Sequence, residues 1–125
     1  MPSTDIKKIK IIIADDHPLF RRGLKHALEE TSDIEVIGES CNGEDLLSLI
    51  RDSKPNIILL DIAMPGKSGL DLLKQLKNEH PKLSILILSV CPEEQYAIRF
   101  LKAGASGYLT KESVAEKLAE AIRKI

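Results

Sequence analysis

The sequence holds little that would tie it to a membrane, a nucleic acid or an oxidising compartment. Its 18 basic and 19 acidic side chains nearly cancel, leaving a net charge of −1. No global field therefore draws it toward nucleic-acid backbones or anionic lipid. No run of ~18 apolar residues occurs, so no segment reads as a spanning helix. The opening MPSTDIKKIK has charge but no apolar stretch before Ile11, which does not fit a signal peptide. Cysteine is scarce: Cys41 and Cys91 stand alone and form no metal-like cluster. A cytoplasmic, reduced protein is the simplest expectation. A glycine-rich phosphate loop is missing too. The first apolar run leads into Ala14-Asp15-Asp16-His17-Pro18-Leu19, without glycine, and acids there would repel a pyrophosphate. That excludes a dinucleotide-binding oxidoreductase. There is no linker, internal repeat or low-complexity stretch.

What is present is a strict alternation of short apolar runs and amphipathic segments. At 125 residues, 43% apolar and 30% charged, the chain fits one globular domain. Ile9 to Ala14 reads as a buried strand. Pro18 suits the first turn of a helix over 18–30, with Phe20, Leu24, Ala27 and Leu28 inward. Ile34 to Gly38 is a weaker strand, interrupted by Glu35. Asn42 can cap a helix from Gly43 to about Ser53. Asn56 to Leu60 is the clearest strand and leads straight into Asp61. Pro65-Gly66 is a turn signal. Ser68 and Asp71 form a capping-box pattern ahead of Leu70, Leu73 and Leu76. Leu83 to Leu88 is a fourth strand. Pro92 opens a fourth helix that Gly104 closes. Gly107 to Leu109 is a short fifth strand, and Ser113 with Glu116 heads a last helix. Strands that read as continuous apolar runs, alternating with helices, predict a doubly wound five-stranded parallel sheet covered on both faces by five helices.

Ligands of such sheets bind at the carboxyl ends of the strands. Asp15 and Asp16 follow the first strand, Asp61 the third, Ser89 the fourth, and Thr110 and Lys111 the fifth. Two unit charges about 4 Å apart repel by roughly 4 kcal/mol at an effective dielectric near 20. Three clustered carboxylates would therefore take up protons or recruit a cation. Hard oxygen ligands favour Mg²⁺, Mn²⁺ or Ca²⁺ over zinc. Mg²⁺ fills part of its octahedron with phosphate oxygens, and a carboxylate can attack phosphorus to give an aspartyl phosphate. Taken singly, each residue has an ordinary role. Asp15 and Asp16 could be helix-start charges, Ser89 a strand-end hydroxyl, Lys111 surface charge and Tyr108 core. His17, beside Pro18, reads as structural or solvent-facing rather than as a metal ligand. The combination is far more specific than any member.

Asp15-Asp16, Asp61 followed by Met64-Pro65-Gly66, Ser89 and Lys111 together resemble the CheY-like receiver domain of two-component response regulators, over the whole chain. The stretches ADDHPLFRRGL and LKAGASGYLTKES are similar to the NarL/FixJ branch more narrowly. The resemblance implies the strand order 2-1-3-4-5. It makes Asp61 the phosphoacceptor, with Asp15, Asp16 and the Ala63 backbone carbonyl joining it around Mg²⁺ (or Mn²⁺). Lys111 would pair with the phosphoryl group, Ser89 would move onto it, and Tyr108 would be the aromatic switch. The donor would be a sensor histidine kinase, and phosphorylation would bring a homodimer. DNA would be reached only through a LuxR-type output domain beyond residues 1–125, the stretch AEAIRKI reading as a domain boundary.

Two positions depart from the family's pattern. Glu112 stands where many receivers carry a proline, and a non-proline cis bond costs roughly 3 kcal/mol, so the Lys111–Glu112 geometry stays open. Cys91 is unusual in the loop before Pro92. An aspartyl phosphatase would want a second acid where Ala63 sits. A stand-alone or phosphorylation-independent receiver, acting as an interaction module, is the remaining alternative.

Overall fold

A computed structural model describes residues 8–64, 68–90, 94–112 and 114–124. The elements run β1 (Ile9–Ala14), α1 (Pro18–Glu29), β2 (Ile34–Ser40), α2 (Gly43–Ser53), β3 (Ile57–Asp61), α3 (Gly69–Glu79), β4 (Ser84–Ser89), α4 (Glu94–Lys102), β5 (Gly107–Thr110) and α5 (Val114–Lys124). The strands form one parallel sheet in the order β2-β1-β3-β4-β5, as expected.

Successive strand residues point to opposite faces, and the sequence fills both. Ile12, Ala14, Ile58, Leu60, Ile85 and Ile87 pack with Leu46 and Ile50 of α2, Leu72, Leu73 and Leu76 of α3, and Phe100 of α4. Ile11, Ile13, Ile57, Leu59, Leu86 and Leu88 face Leu24 and Leu28 of α1 and Val114, Leu118 and Ile122 of α5. The near-continuous apolar runs of β1, β3 and β4 are thus two interleaved half-sets, one for each layer of helices.

Strand ends differ from the sequence reading in one consistent way. β3, β4 and β5 each run one residue further, to Asp61, Ser89 and Thr110. Backbone pairing, not apolar character, sets where a strand stops: Asp61 pairs with Leu88 and Ser89 with Thr110. β2 also extends past Gly38 to Ser40, with a register shift opposite Ile11 and Ile12. As an edge strand it tolerates Glu35 and Glu39 on its open side. Asn42 accepts the Asp45 N–H at 2.8 Å and Ser68 that of Asp71 at 3.2 Å, so both expected caps form. Gly104 ends α4 at φ +113°, a conformation that favours glycine. The Pro65-Gly66 turn, the start at Pro92, the loop residue Cys91 and the Ser113 cap lie outside the described residues. No peptide bond among the described residues is cis, so Lys111–Glu112 is trans.

Gly69 at the start of α3 sets how closely that helix meets the end of β3. A Cβ there would lie 2.7 Å from Ile62 Cβ and 2.8 Å from Ile62 Cα, a backbone atom that cannot swing aside. Gly69→Ala is expected to destabilise the domain by about 1–3 kcal/mol through overpacking. Urea unfolding should show a lower midpoint with an unchanged slope; an unchanged midpoint would show that α3 can slide away freely.

Candidate functional site

The carboxyl edge of the sheet gathers the residues singled out in the sequence. Ala14 and Leu60 are register partners, so Asp15 and Asp61 leave adjacent strands side by side. Their side chains are buried, with 0% and 1% exposure. Asp15 is fixed by its N–H to the Ser40 carbonyl at 2.9 Å, and its Oδ1 accepts the His17 N–H at 2.7 Å. Asp61 Oδ1 accepts the Ala63 N–H at 2.9 Å. From β5, Lys111 reaches back across the edge, its Nζ 2.8 Å from Asp15 Oδ2 and 3.2 Å from Asp61 Oδ2. The contact with Asp61 is a hydrogen bond. The contact with Asp15 is shorter still, and it helps hold the Lys111 ammonium charged. Asp16 Oδ1 is a buried oxygen without a hydrogen-bond partner. Ser89 is buried at the end of β4, and its carbonyl accepts the Lys111 N–H at 2.7 Å. Tyr108 lies further back on β5, half-buried, its ring centroid 6.2 Å from that of Phe100.

The charges on this edge do not balance. Burial pushes the Asp61 carboxyl above its usual range; the Ala63 N–H pulls it down, Asp15 pushes it up and Lys111 pulls it down, and the net direction is up. For Lys111, burial acts downward but is outweighed by Asp15 and Asp61, which hold the ammonium above its ordinary value. One lysine thus serves two buried carboxylates, with Asp16 beside them. The donor set is oxygen-rich, and Asp16 Oδ1 is buried without a hydrogen-bond partner. One ligand atom from each of Asp15, Asp16, His17 and Asp61 can be chosen so that all lie within 4.8 Å of one another. That arrangement fits a hard divalent cation.

Three contributors were not legible as site residues. His17 turns its Nδ1 into the acidic cluster, 3.1 Å from Asp15 Oδ1. Its side chain stays 59% exposed, in keeping with the solvent-facing expectation, while Nδ1 reaches the acids. Phe20 was assigned to the core of α1, yet Lys111 Nζ lies 4.5 Å above its ring centroid. Arg21 donates from Nη1 to the Asp15 carbonyl and from Nε to Glu39 at 2.9 Å. Their shared signal is position in the first turn of α1 after Asp15-Asp16, but any first turn carries such residues. Cavity size does not locate the site: a groove of about 720 Å³ opens at the opposite edge, among Arg51, Lys54, Asn56, Glu79 and His80.

A parallel sheet with buried acids and one lysine at its carboxyl edge defines a class of α/β domain that handles a cation and an anion together. The sequence pattern of the response regulator receiver domain matches residues 11–123, and the chain belongs to that family. It is 37% identical over 117 residues to the response regulator GacA of Pseudomonas aeruginosa, covering 94% of this chain and 55% of that one. To the nitrate/nitrite response regulator NarL of Escherichia coli it is 39% identical over 114 residues, covering 91% and 53%. The non-phosphorylated receiver domain of the stress response regulator RcsB from Escherichia coli superposes with a TM-score of 0.89 at 27% identity, covering 94% and 92%. The chain spans about half the length of the curated relatives it matches. Receiver domains of this family are phosphoacceptor switches of two-component systems rather than conventional enzymes. Among the described residues no helix is long and apolar enough to cross a membrane.

The raised Asp61 carboxyl has a consequence for stability. In the window above the ordinary carboxylate value, the folded state binds more protons than the unfolded state, so stability falls as pH rises. Ionised Asp61 therefore opposes folding at neutral pH. Without divalent metal, Asp61→Asn is expected to raise the thermal midpoint at pH 7 by roughly 4 °C, for about 1 kcal/mol of relief. The gain should shrink as pH falls toward the usual carboxylate range. Thermal melts in a chelating buffer check this; a lower midpoint in the variant at pH 7 would mean that Lys111 overcompensates the repulsion.

Proposed function

We propose that this receiver accepts a phosphoryl group on Asp61 from a sensor histidine kinase and passes the change to the face made by α4, β5 and α5. The observation that carries the reading is the buried pair Asp15 and Asp61 sharing one ammonium, with Asp16 Oδ1 buried beside it without a hydrogen-bond partner. Asp15, Asp16 and Asp61, with the Ala63 carbonyl, would hold Mg²⁺ or Mn²⁺. Such an ion would neutralise phosphoryl oxygens during transfer.

The chain's own groups do the rest. The Ala63 N–H and Lys111 hold the Asp61 carboxylate at both oxygens, so its orientation is set before a donor arrives. A carboxylate oxygen attacks phosphorus, the P–N bond of the phosphohistidine breaks, and the imidazole leaves with the bonding pair. The product carries about −1.5 to −2 of charge next to Lys111. Lys111 turns from the carboxylates to the phosphoryl oxygens. Its backbone N–H is bonded to Ser89, whose register partner is Thr110, so movement there bears on β5 and Tyr108. The result is a shift between two packings of one fold. Hydrolysis of the acyl phosphate resets it.

The same reading extends to the whole protein. Residues 1–125 act as one receiver domain in the cytoplasm. A DNA-binding output of the LuxR type, a homodimer on phosphorylation and transcription regulation are the uses proposed for the switch. Similarity to GacA and NarL supports this extension.

Intact mass after incubation with acetyl phosphate and Mg²⁺ tests the chemistry. One added phosphoryl group, about 80 Da, should appear with metal, vanish with chelator and be missing from Asp61→Asn. No gain where a control receiver is labelled would instead make the chain a phosphorylation-independent interaction module.

A further inference from the structure

We propose that His17 is a fourth side-chain ligand of the ion in the acidic pocket, so that the site holds Mn²⁺, and more strongly borderline metals such as Co²⁺ and Ni²⁺, through nitrogen as well as oxygen. The inference rests on the reading of Asp15, Asp16 and Asp61 as metal ligands and adds a residue that this reading does not use.

The spacing is that of a shared coordination shell. His17 Nδ1 lies 3.1 Å from Asp15 Oδ1, 3.3 Å from Asp16 Oδ1 and 3.7 Å from Asp61 Oδ2. An octahedral ion with bonds of about 2.1 Å places adjacent ligands about 3 Å apart and opposite ones about 4.2 Å apart. The four candidate atoms, within 4.8 Å of one another, need shifts of roughly half an ångström to meet those limits.

The ring's surroundings point the same way. Nδ1 faces Asp15 Oδ1, which asks it to donate, and Lys111 Nζ at 3.1 Å, which asks it to accept. One nitrogen cannot do both. Asp16 Oδ1, 3.3 Å away, is buried without a hydrogen-bond partner. An ion would take the Nδ1 lone pair and that oxygen together, displacing the Lys111 ammonium and leaving Nε2 to carry the proton. The His17 side chain is 59% exposed and gives α1 no side-chain cap, so neither burial nor capping accounts for its turn into the pocket. What holds it is its own N–H on Asp15 Oδ1, a bond to a carboxylate already placed at the site.

Imidazole changes which ions the site prefers. Carboxylate and water suit Mg²⁺ and Mn²⁺, whereas imidazole strengthens binding along the series toward Ni²⁺. The rival explanation is a protonated His17 standing in for the cation, paired with the acids. It makes the opposite forecast, because removing a competing positive charge would tighten every metal alike.

Calorimetric titration of the unmodified chain, His17→Asn and Asp15→Asn with Mg²⁺, Mn²⁺ and Ni²⁺ separates these, together with pulsed electron paramagnetic resonance of the Mn²⁺ complex. His17→Asn should weaken Ni²⁺ roughly tenfold while leaving Mg²⁺ within about threefold, because only the nitrogen donor is lost. The Mn²⁺ complex of the unmodified chain should show imidazole nitrogen coupling that is missing from His17→Asn. Equal tightening of all three ions, or Mn²⁺ binding without nitrogen coupling, would overturn the role of His17 while leaving the carboxylate site standing. Metal binding unchanged by Asp15→Asn, or no metal binding at all, would remove the carboxylate site and this inference with it.

Discussion

The repulsion between Asp15 and Asp61 is the constraint around which this domain is arranged. Two carboxylates that leave adjacent strands at 0% and 1% exposure cannot be relaxed by water. Only a rigid support keeps them together, and the sheet supplies it: β1 and β3 are buried on both faces and locked in register from Ile11↔Ile57 to Ala14↔Leu60. Well-packed apolar residues at the same two positions would give a more stable protein. The edge therefore stores a demand for positive charge. Lys111 meets it in part, and a divalent cation would meet the rest.

That partial compensation also makes the edge responsive. Lys111 is tied to both acids through its side chain and to Ser89 through its backbone N–H. It rests against Phe20 of α1 on one side, while three residues back, on β5, Tyr108 leans toward Phe100 of α4. A change in charge at Asp61 thus reaches one residue with contacts in two layers of the fold. Any coupling from there to Tyr108 would run a short, covalent way along β5. Cores packed at crystal-like density move between discrete arrangements, not by gradual deformation. The contacts around Tyr108 are where a second arrangement would be read by a partner.

Much of this was legible in the sequence because the relevant signals are local. Ile57 to Leu60 could only be a strand buried on both faces, and Asn42 and Ser68 announced their helices. Asp15, Asp16, Asp61, Ser89 and Lys111 follow from strand ends alone, and the structure brings them to one edge. What escaped is what depends on direction, not on position. No periodicity tells that the His17 ring folds back over Asp15, or that the stem of Lys111 crosses to Phe20. β2 was read short for a related reason: Glu35 and Gly38 break an apolar run, but pairing to β1 continues through a register shift.

The same electrostatics bears on the bland alternative, a receiver that serves only as a docking surface. Such a module needs the fold, and the fold needs the apolar halves of β1, β3 and β4. It does not need Asp61 ionised in a site that disfavours its charge. A neutral residue there would keep the Ala63 N–H satisfied and relieve Asp15. Nor would docking explain why a second buried carboxylate, Asp15, shares the one lysine with Asp61, or why Asp16 Oδ1 is buried without a hydrogen-bond partner. Burying like charges side by side costs stability, and that cost is one a cation at this edge would offset.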